Sequence, residues 1–392
     1  MDEGNRNGGK RIMNENTNIF KKKNINERLR VTVIGCGACG NGIAAEIEKD
    51  VLALEGEKSN ISFVGINTSM EDLNTVSLSH KIHINNSKGA ACDRENGIQD
   101  LAESIDTILP ELKEYILEDS IVFIISSLGG GTGSAISPSL AEVLLESGYR
   151  IGMVVVLPSD NESLKIKDNA RLTFNEIEEL KPQMGSIFIL DNNAAEKQKI
   201  NRTFASLFTS VLCINNKSQD GNMDLAEIEA CLMTPSFSII TRAGKGKGTT
   251  ANIVGILNGN SNIFAKRDDK VVSVIGISEA VSAKDSKIDM PELRKEVGTA
   301  PVEFHGYLSG SDENVVILSG LTMPYKRIDA MTESVQKEAG IIQNAVKATT
   351  EVRTVNVMDV FSKQEIKGTE QSNDKPKGIS ALEKLKAKRI SK

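Results

Sequence analysis

The stretch IVFIISSLGGGTGSAISPSLA, residues 121–141, constrains the fold more than any other part of the chain. It opens with an unbroken apolar run over 121–125, bounded by Ser and Gly. Such a run predicts a strand buried on both faces, as in the middle of a parallel sheet. Gly129, Gly130, Gly131, Thr132, Gly133 and Ser134 follow, and apolar residues at helical spacing then occupy 138–145. The order is strand, glycine turn, helix. Glycines let backbone N–H groups approach an anion and adopt positive φ. The helix behind them adds its dipole and its unpaired donors, and Thr132 and Ser134 add hydroxyls. Taken alone, these residues fit a phosphate cradle and a ligand-free turn equally.

A second glycine turn lies near the start. The strand over 31–34 runs into Gly35, Cys36, Gly37, Ala38, Cys39 and Gly40, ahead of a helix predicted over 43–54. The GxGxxG spacing is that of a dinucleotide site, which needs an acid at the end of the next strand to hold a ribose diol. The strand over 61–66 ends instead in Asn67, Thr68 and Ser69. An amide there suits a nucleotide phosphate or its metal shell, which argues against a nicotinamide-dependent oxidoreductase.

Composition removes other classes. A chain of 392 residues exceeds most single domains, so two packed domains are expected. With a net charge of −6, no Trp and 4% aromatic residues, neither direct DNA binding nor a stacking platform for single strands is expected. Five cysteines, an odd number, fit a reducing cytoplasm. Cys36 and Cys39 have CxxC spacing but no second ligand pair, so they read as small turn residues and no metal site is expected on the protein. No apolar run approaches the ~20 residues of a membrane span.

GGGTGS (129–134) resembles the signature loop of the tubulin/FtsZ GTPase superfamily. The resemblance extends, in order, to further loops over 31–345. Gly35 to Gly40 matches the first loop, Asn67 the second, and Gly89, Ala90 and Ala91 the third, ahead of a helix over 98–117. Asp93 and Arg94 fit either a role in that third loop or a solvated pair at the helix start. The loop after the strand over 151–157 carries Pro158, Asp160 and Glu162, and the resemblance places Glu162 on the ribose. Ile166 stands where the family has an arginine, so Lys165, or else Lys167, would serve the terminal phosphate. Asn192, after the strand over 186–190, and Asn201, opening the helix over 201–216, would read guanine. An amide offers the donor and acceptor that a purine edge requires.

Asn222, Asp224 and Glu227 match the synergy loop, which in the family enters the next subunit's pocket and orients water on the γ-phosphate. The same Asp and Glu spacing also predicts a helix capping box. GKGKGTT (244–250) lacks Walker A order and reads as a turn with solvated lysines.

The implied fold is α/β: a Rossmann-like GTPase domain with a parallel sheet (31–200), a central helix and synergy loop (201–235) and a smaller α/β C-terminal domain (236–346). Extensions at 1–30 and 347–392 complete the chain. A short helix is predicted over 19–30. In the second region strands are predicted over 271–277, 301–309 and 314–321, and helices over 291–296 and 325–343. Within the superfamily, LPSDNESLK (157–165) and SGLTMPYKRI (319–328) most resemble the TubZ group of plasmid and phage partition systems. That resemblance implies GTP and GDP as ligands and Mg2+ held mostly through phosphates and water. It also implies head-to-tail treadmilling filaments and DNA segregation through a DNA-bound TubR-like adaptor. The basic tail (383–392) fits either an adaptor hook or a solvated terminus. A division or cell-shape role like that of FtsZ is the alternative.

Overall fold

Strands and helices alternate through the first half: β1 (Val31–Cys36), α1 (Gly37–Glu55), β2 (Ile61–Asn67), α2 (Met70–Thr75), β3 (His80–His83), α3 (Arg94–Tyr115), β4 (Ile121–Ser127), α4 (Thr132–Glu146), β5 (Arg150–Leu157), α5 (Leu164–Leu180), β6 (Ser186–Asp191) and α6 (Lys197–Leu212). The second half adds α7 (Leu225–Met233), β7 (Ser236–Gly244), α8 (Thr249–Asn258), β8 (Val274–Glu279), α9 (Met290–Val297), β9 (Val302–Tyr307), β10 (Glu313–Leu321) and α10 (Tyr325–Thr350). The computed structural model describes residues 28–56, 60–84, 89–214, 221–246, 248–259, 262–308 and 311–350. The expected N-terminal helix falls outside them apart from 28–30, which are not helical, and the basic tail falls outside them entirely.

One sheet of ten strands runs in the order β3-β2-β1-β4-β5-β6-β7-β10-β8-β9. β1 and β6 are buried along their whole length, and β4 and β5 in all but one end residue, as their Val- and Ile-rich runs require of strands covered on both faces. The register sets Cys36 level with both Ile66 and Ser126, and Leu157 level with Asp191. The loops after β1, β2, β4, β5 and β6 therefore leave from one edge of the sheet, where open α/β sheets bind ligands. α1 lies hard against β4, because a Cβ at Gly40 would overlap the Ile125 carbonyl.

α6 buries Phe204, Leu207, Phe208, Val211 and Leu212, the stripe its spacing predicts. Phe208 meets Phe123 edge-on at 5.0 Å and stacks on Phe204 at 5.4 Å; Phe188 and Phe264 complete the cluster. β7 joins β6 in parallel through Ser186↔Ser236, Ile187↔Phe237 and Phe188↔Ser238. Beyond it β10 is antiparallel to both β7 and β8, and β9 is parallel to β8 at the edge.

The main departures from expectation lie at helix starts. α1 begins at Gly37, α3 at Arg94, α4 at Thr132 and α6 at Lys197, each several residues earlier than predicted. Gly37, Gly40 and Gly133 are thus first-turn residues, while Gly35 belongs to β1 and Gly129 to Gly131 precede α4. Pro138 sits inside α4, and the Ser134 carbonyl, which Pro138 has no N–H to serve, faces the Thr173 hydroxyl at 3.3 Å. β7 and α8 were not anticipated.

Candidate functional site

The turns after β1 and β4 lie back to back. Gly37 has φ +71°, and a Cβ there would stand 2.9 Å from the Gly133 backbone N. Only glycine meets both demands. The third loop closes over the second turn: a Cβ at Gly131 would meet the Ala90 methyl at 2.9 Å and the Cys92 backbone at 3.0 Å. Ala91 and Cys92 both adopt positive φ to turn the chain there. Asn169 of α5 ties the two loops together, donating to the Cys92 carbonyl at 3.0 Å and the Gly129 carbonyl at 3.1 Å. A 2.6 Å hydrogen bond between the hydroxyls of Thr68 and Thr132 joins the second loop to the fourth.

Between these loops is a pocket of about 430 Å³. It is lined by Cys36, Gly37, Ala38, Cys39, Asn67, Ser69, Asp72, Gly89, Ala90, Ala91, Cys92, Ser127, Gly130, Gly131, Thr132 and Gly133. A larger cleft, about 890 Å³, opens between the end of β6, α8 and α9, and holds none of these loops. The smaller pocket is the one built for an anion. α1 and α4 start at its wall with no side-chain cap and no acid in their first turns, leaving their N–H groups for a ligand. α2 and α3 are instead capped by Ser69 and Asp93. Asn67 is buried with its Oδ1 taken by the Ser69 N–H, while its Nδ2, on the pocket wall, has no partner. An unpaired buried donor beside two open helix ends fits a phosphate oxygen.

Several predicted residues support the pocket without lining it. Gly35 and Gly40 are packed in the core, and Gly129 lies against Ile166. The Ser134 hydroxyl turns back to the Gly130 carbonyl and is not offered to the pocket. Glu162 pairs with Lys197 at 2.6 Å. Both stand near Cys39: burial pushes that thiol up to about 11, with Lys197 drawing it down and Glu162 raising it further. Pro158 and Asp160 are held by Arg327, through the Pro158 carbonyl at 2.7 Å and the Asp160 carboxylate at 3.2 Å.

Lys165 is half-buried in the first turn of α5. Lys167 is buried and points to Glu338 and Ser334 of α10. Arg94 is neither solvated nor in the pocket; it is buried and paired with Glu176 of α5. Burial raises the Glu176 carboxyl despite that arginine.

Asn192 and Asn201 each keep a buried Oδ1 without a partner. Two free acceptors match the N1–H and N2–H₂ donors of guanine, where adenine offers one donor group on that edge. Asn222, Asp224 and Glu227 do not line the pocket. α6, 16 residues and hence about 24 Å long, intervenes between Asn192 and that loop. Asp224 caps α7 by accepting from the Glu227 N–H at 2.9 Å, and Glu227 accepts from the Asp224 N–H at 2.9 Å. The predicted capping box is present, and Asp224 is exposed. Asn169 was missed; its one signal in the sequence is an amide on the apolar face of α5.

Residues 30–199 match the model of the Tubulin/FtsZ family GTPase domain. Those residues are a Tubulin/FtsZ GTPase domain, and the chain is a GTPase with the tubulin/FtsZ fold. It is similar to the tubulin-like protein TubZ of Clostridium botulinum C phage, 26% identical over 81% of this chain and 88% of that one. The solved structure of the tail-truncated c-st phage TubZ superposes with TM-score 0.68 at 24% identity, covering 80% of this chain and 98% of that one. The GTPγS-form protofilament of Bacillus thuringiensis serovar israelensis TubZ gives TM-score 0.67 at 17% identity, covering 83% and 95%. Among the described residues no helix is long and apolar enough to cross a membrane.

Proposed function

We propose that this chain is a cytomotive GTPase whose hydrolytic site is completed between subunits stacked head to tail. The observation that carries the reading is a division of parts. The anion pocket gathers the loops after β1, β2, β3 and β4, while Asp224 and Glu227 stand outside it on a separate, exposed helix start.

The α1 and α4 N-termini cradle the phosphates, and the Asn67 amide donates to one of them. Asp72, the carboxylate on the pocket wall, would hold a nucleotide-borne Mg2+ through water, and the ion would neutralise charge on the phosphates. Glu162 meets the ribose; Asn192 and Asn201 accept from guanine. Asp224 and Glu227 of the next subunit, steadied by Asn222, orient water against the γ-phosphate, so positioning and charge replace a dedicated base. A contact of this kind joins two different faces and does not close, so it propagates as a filament. Hydrolysis loosens it, and the filament treadmills. Likeness to TubZ supports a finer reading: filaments that move plasmid or phage DNA through a DNA-bound adaptor, met by the basic tail.

The test is GTP turnover against protein concentration, with sedimentation alongside. Turnover per molecule should appear only above a threshold concentration and coincide with GTP-dependent pelleting. Turnover that is flat with concentration would refute the composite site.

A further inference from the structure

Arg327 belongs to the segment SGLTMPYKRI that leads into the last helix, and it lines no part of the anion pocket. It sits in the first turn of α10, distant in sequence from every pocket loop, with its side chain 12% exposed. Its guanidinium forks onto Asp191 at the end of β6, Nε to Oδ2 at 2.8 Å and a terminal nitrogen to Oδ1 at 3.3 Å. That same terminal nitrogen donates to the Pro158 carbonyl at 2.7 Å, and the other pairs with Asp160 at 3.2 Å.

The loops it grips are also tied to each other. Asp191 Oδ1 accepts from the Asn193 N–H at 3.0 Å, and Asn193 Oδ1 accepts from the Asp160 N–H at 2.9 Å. The Asn192 N–H donates to the Leu157 carbonyl at 3.2 Å. Arg327 closes this ring. One side of the ring carries Glu162, two residues beyond Asp160, and the other carries Asn192.

We propose that Arg327 is a positioning residue for nucleotide recognition: from the last helix it fixes the β5 and β6 loops in register, so that the base acceptor on Asn192 meets guanine. A planar fork that engages a carboxylate through two nitrogens while also holding a carbonyl is not replaced by a lysine ammonium. The proposal rests on the reading that Asn192 and Glu162 meet the nucleotide. It also means that α10 senses the pocket, since release of the two loops would free its first turn.

The test measures GTP and inosine triphosphate affinity, below the assembly threshold, for wild type, Arg327→Lys, Glu338→Gln and Asn192→Ala. Inosine triphosphate lacks the 2-amino group that a base acceptor would select. Glu338→Gln loosens α10 at its Lys167 contact, where Lys167 Nζ also reaches the Asp160 carbonyl at 3.4 Å, but leaves every Arg327 contact in place, and so controls for loss of helix docking. The proposal predicts that Arg327→Lys weakens GTP roughly tenfold and narrows the preference for GTP over inosine triphosphate. Above the assembly threshold, turnover at saturating GTP should stay within about twofold, and Glu338→Gln should keep the wild-type preference. If Arg327→Lys keeps the wild-type preference while Asn192→Ala loses it, Arg327 merely docks the helix and the proposal falls. Equal loss of preference in Arg327→Lys and Glu338→Gln would also overturn it. If Asn192→Ala keeps the preference too, the base assignment beneath the proposal is wrong.

Discussion

Burial pushes the Cys36 thiol up to about 12 and the Cys39 thiol up to about 11, so neither forms appreciable thiolate near neutral pH. Cys231 and Cys213, raised by burial to about 12 and about 11, behave alike. Cys92 is the exposed thiol of the five, and it lines the pocket. Alkylation of the native protein at pH 8 should therefore go to Cys92, and bound GTP should slow it; peptide mapping that finds Cys36 or Cys39 modified first would contradict this. The CxxC spacing reads in the sequence as a pair of small turn residues, but Cys36 ends β1 and Cys39 stands in the first turn of α1. Arg94 was not legible. Its partner Glu176 is 82 positions away, and nothing in local sequence separates a solvated arginine from one buried against another helix.

Among the elements, α1 and α4 begin inside their glycine turns, because those glycines serve as first-turn residues with open N–H groups. Apolar spacing alone starts the helix later, where bulky side chains resume. β7 escaped notice for a related reason. Ser238 and Thr241 interrupt its apolar run yet are buried, and Ser238 Oγ bonds Ser186 Oγ at 2.9 Å across the seam with β6. The loop before α7 has an anchor the sequence does not reveal. The Tyr307 N–H of β9 donates to the Gly221 carbonyl at 3.0 Å, and a Cβ at Gly306 would overlap the backbone of Met223 and Asn222. Gly306→Ala should displace Asp224 and cut GTP turnover by tenfold or more, roughly the cost of a misplaced catalytic group. GTP affinity should stay near wild type in a filter-binding assay, since the pocket lies elsewhere. Undiminished turnover would show that the anchor does not matter.

Across the whole molecule, one sheet continues from the GTPase half through β7 into β10, β8 and β9, with the phenylalanine cluster of α6, β4 and β6 packed at the junction. The order of loops was readable from the sequence because all but the third follow a largely buried strand; β3, ahead of the third, buries only Ile82. The continuity of the sheet was not, because three residue pairs between β6 and β7 decide it. The central claim is that pocket and acids belong to different subunits, and mixing two disabled proteins tests it most directly. Asp224→Asn keeps the helix cap, since Asn caps as well as Asp, but removes the acid. Gly130→Asp has open space for its side chain and sets a carboxylate against the phosphates. Each alone should be inert. Mixed and co-sedimented, they should regain turnover, because the intact loop of one meets the intact pocket of the other. A mixture that co-sediments and stays inert would place both halves of the site within a single subunit and contradict the account.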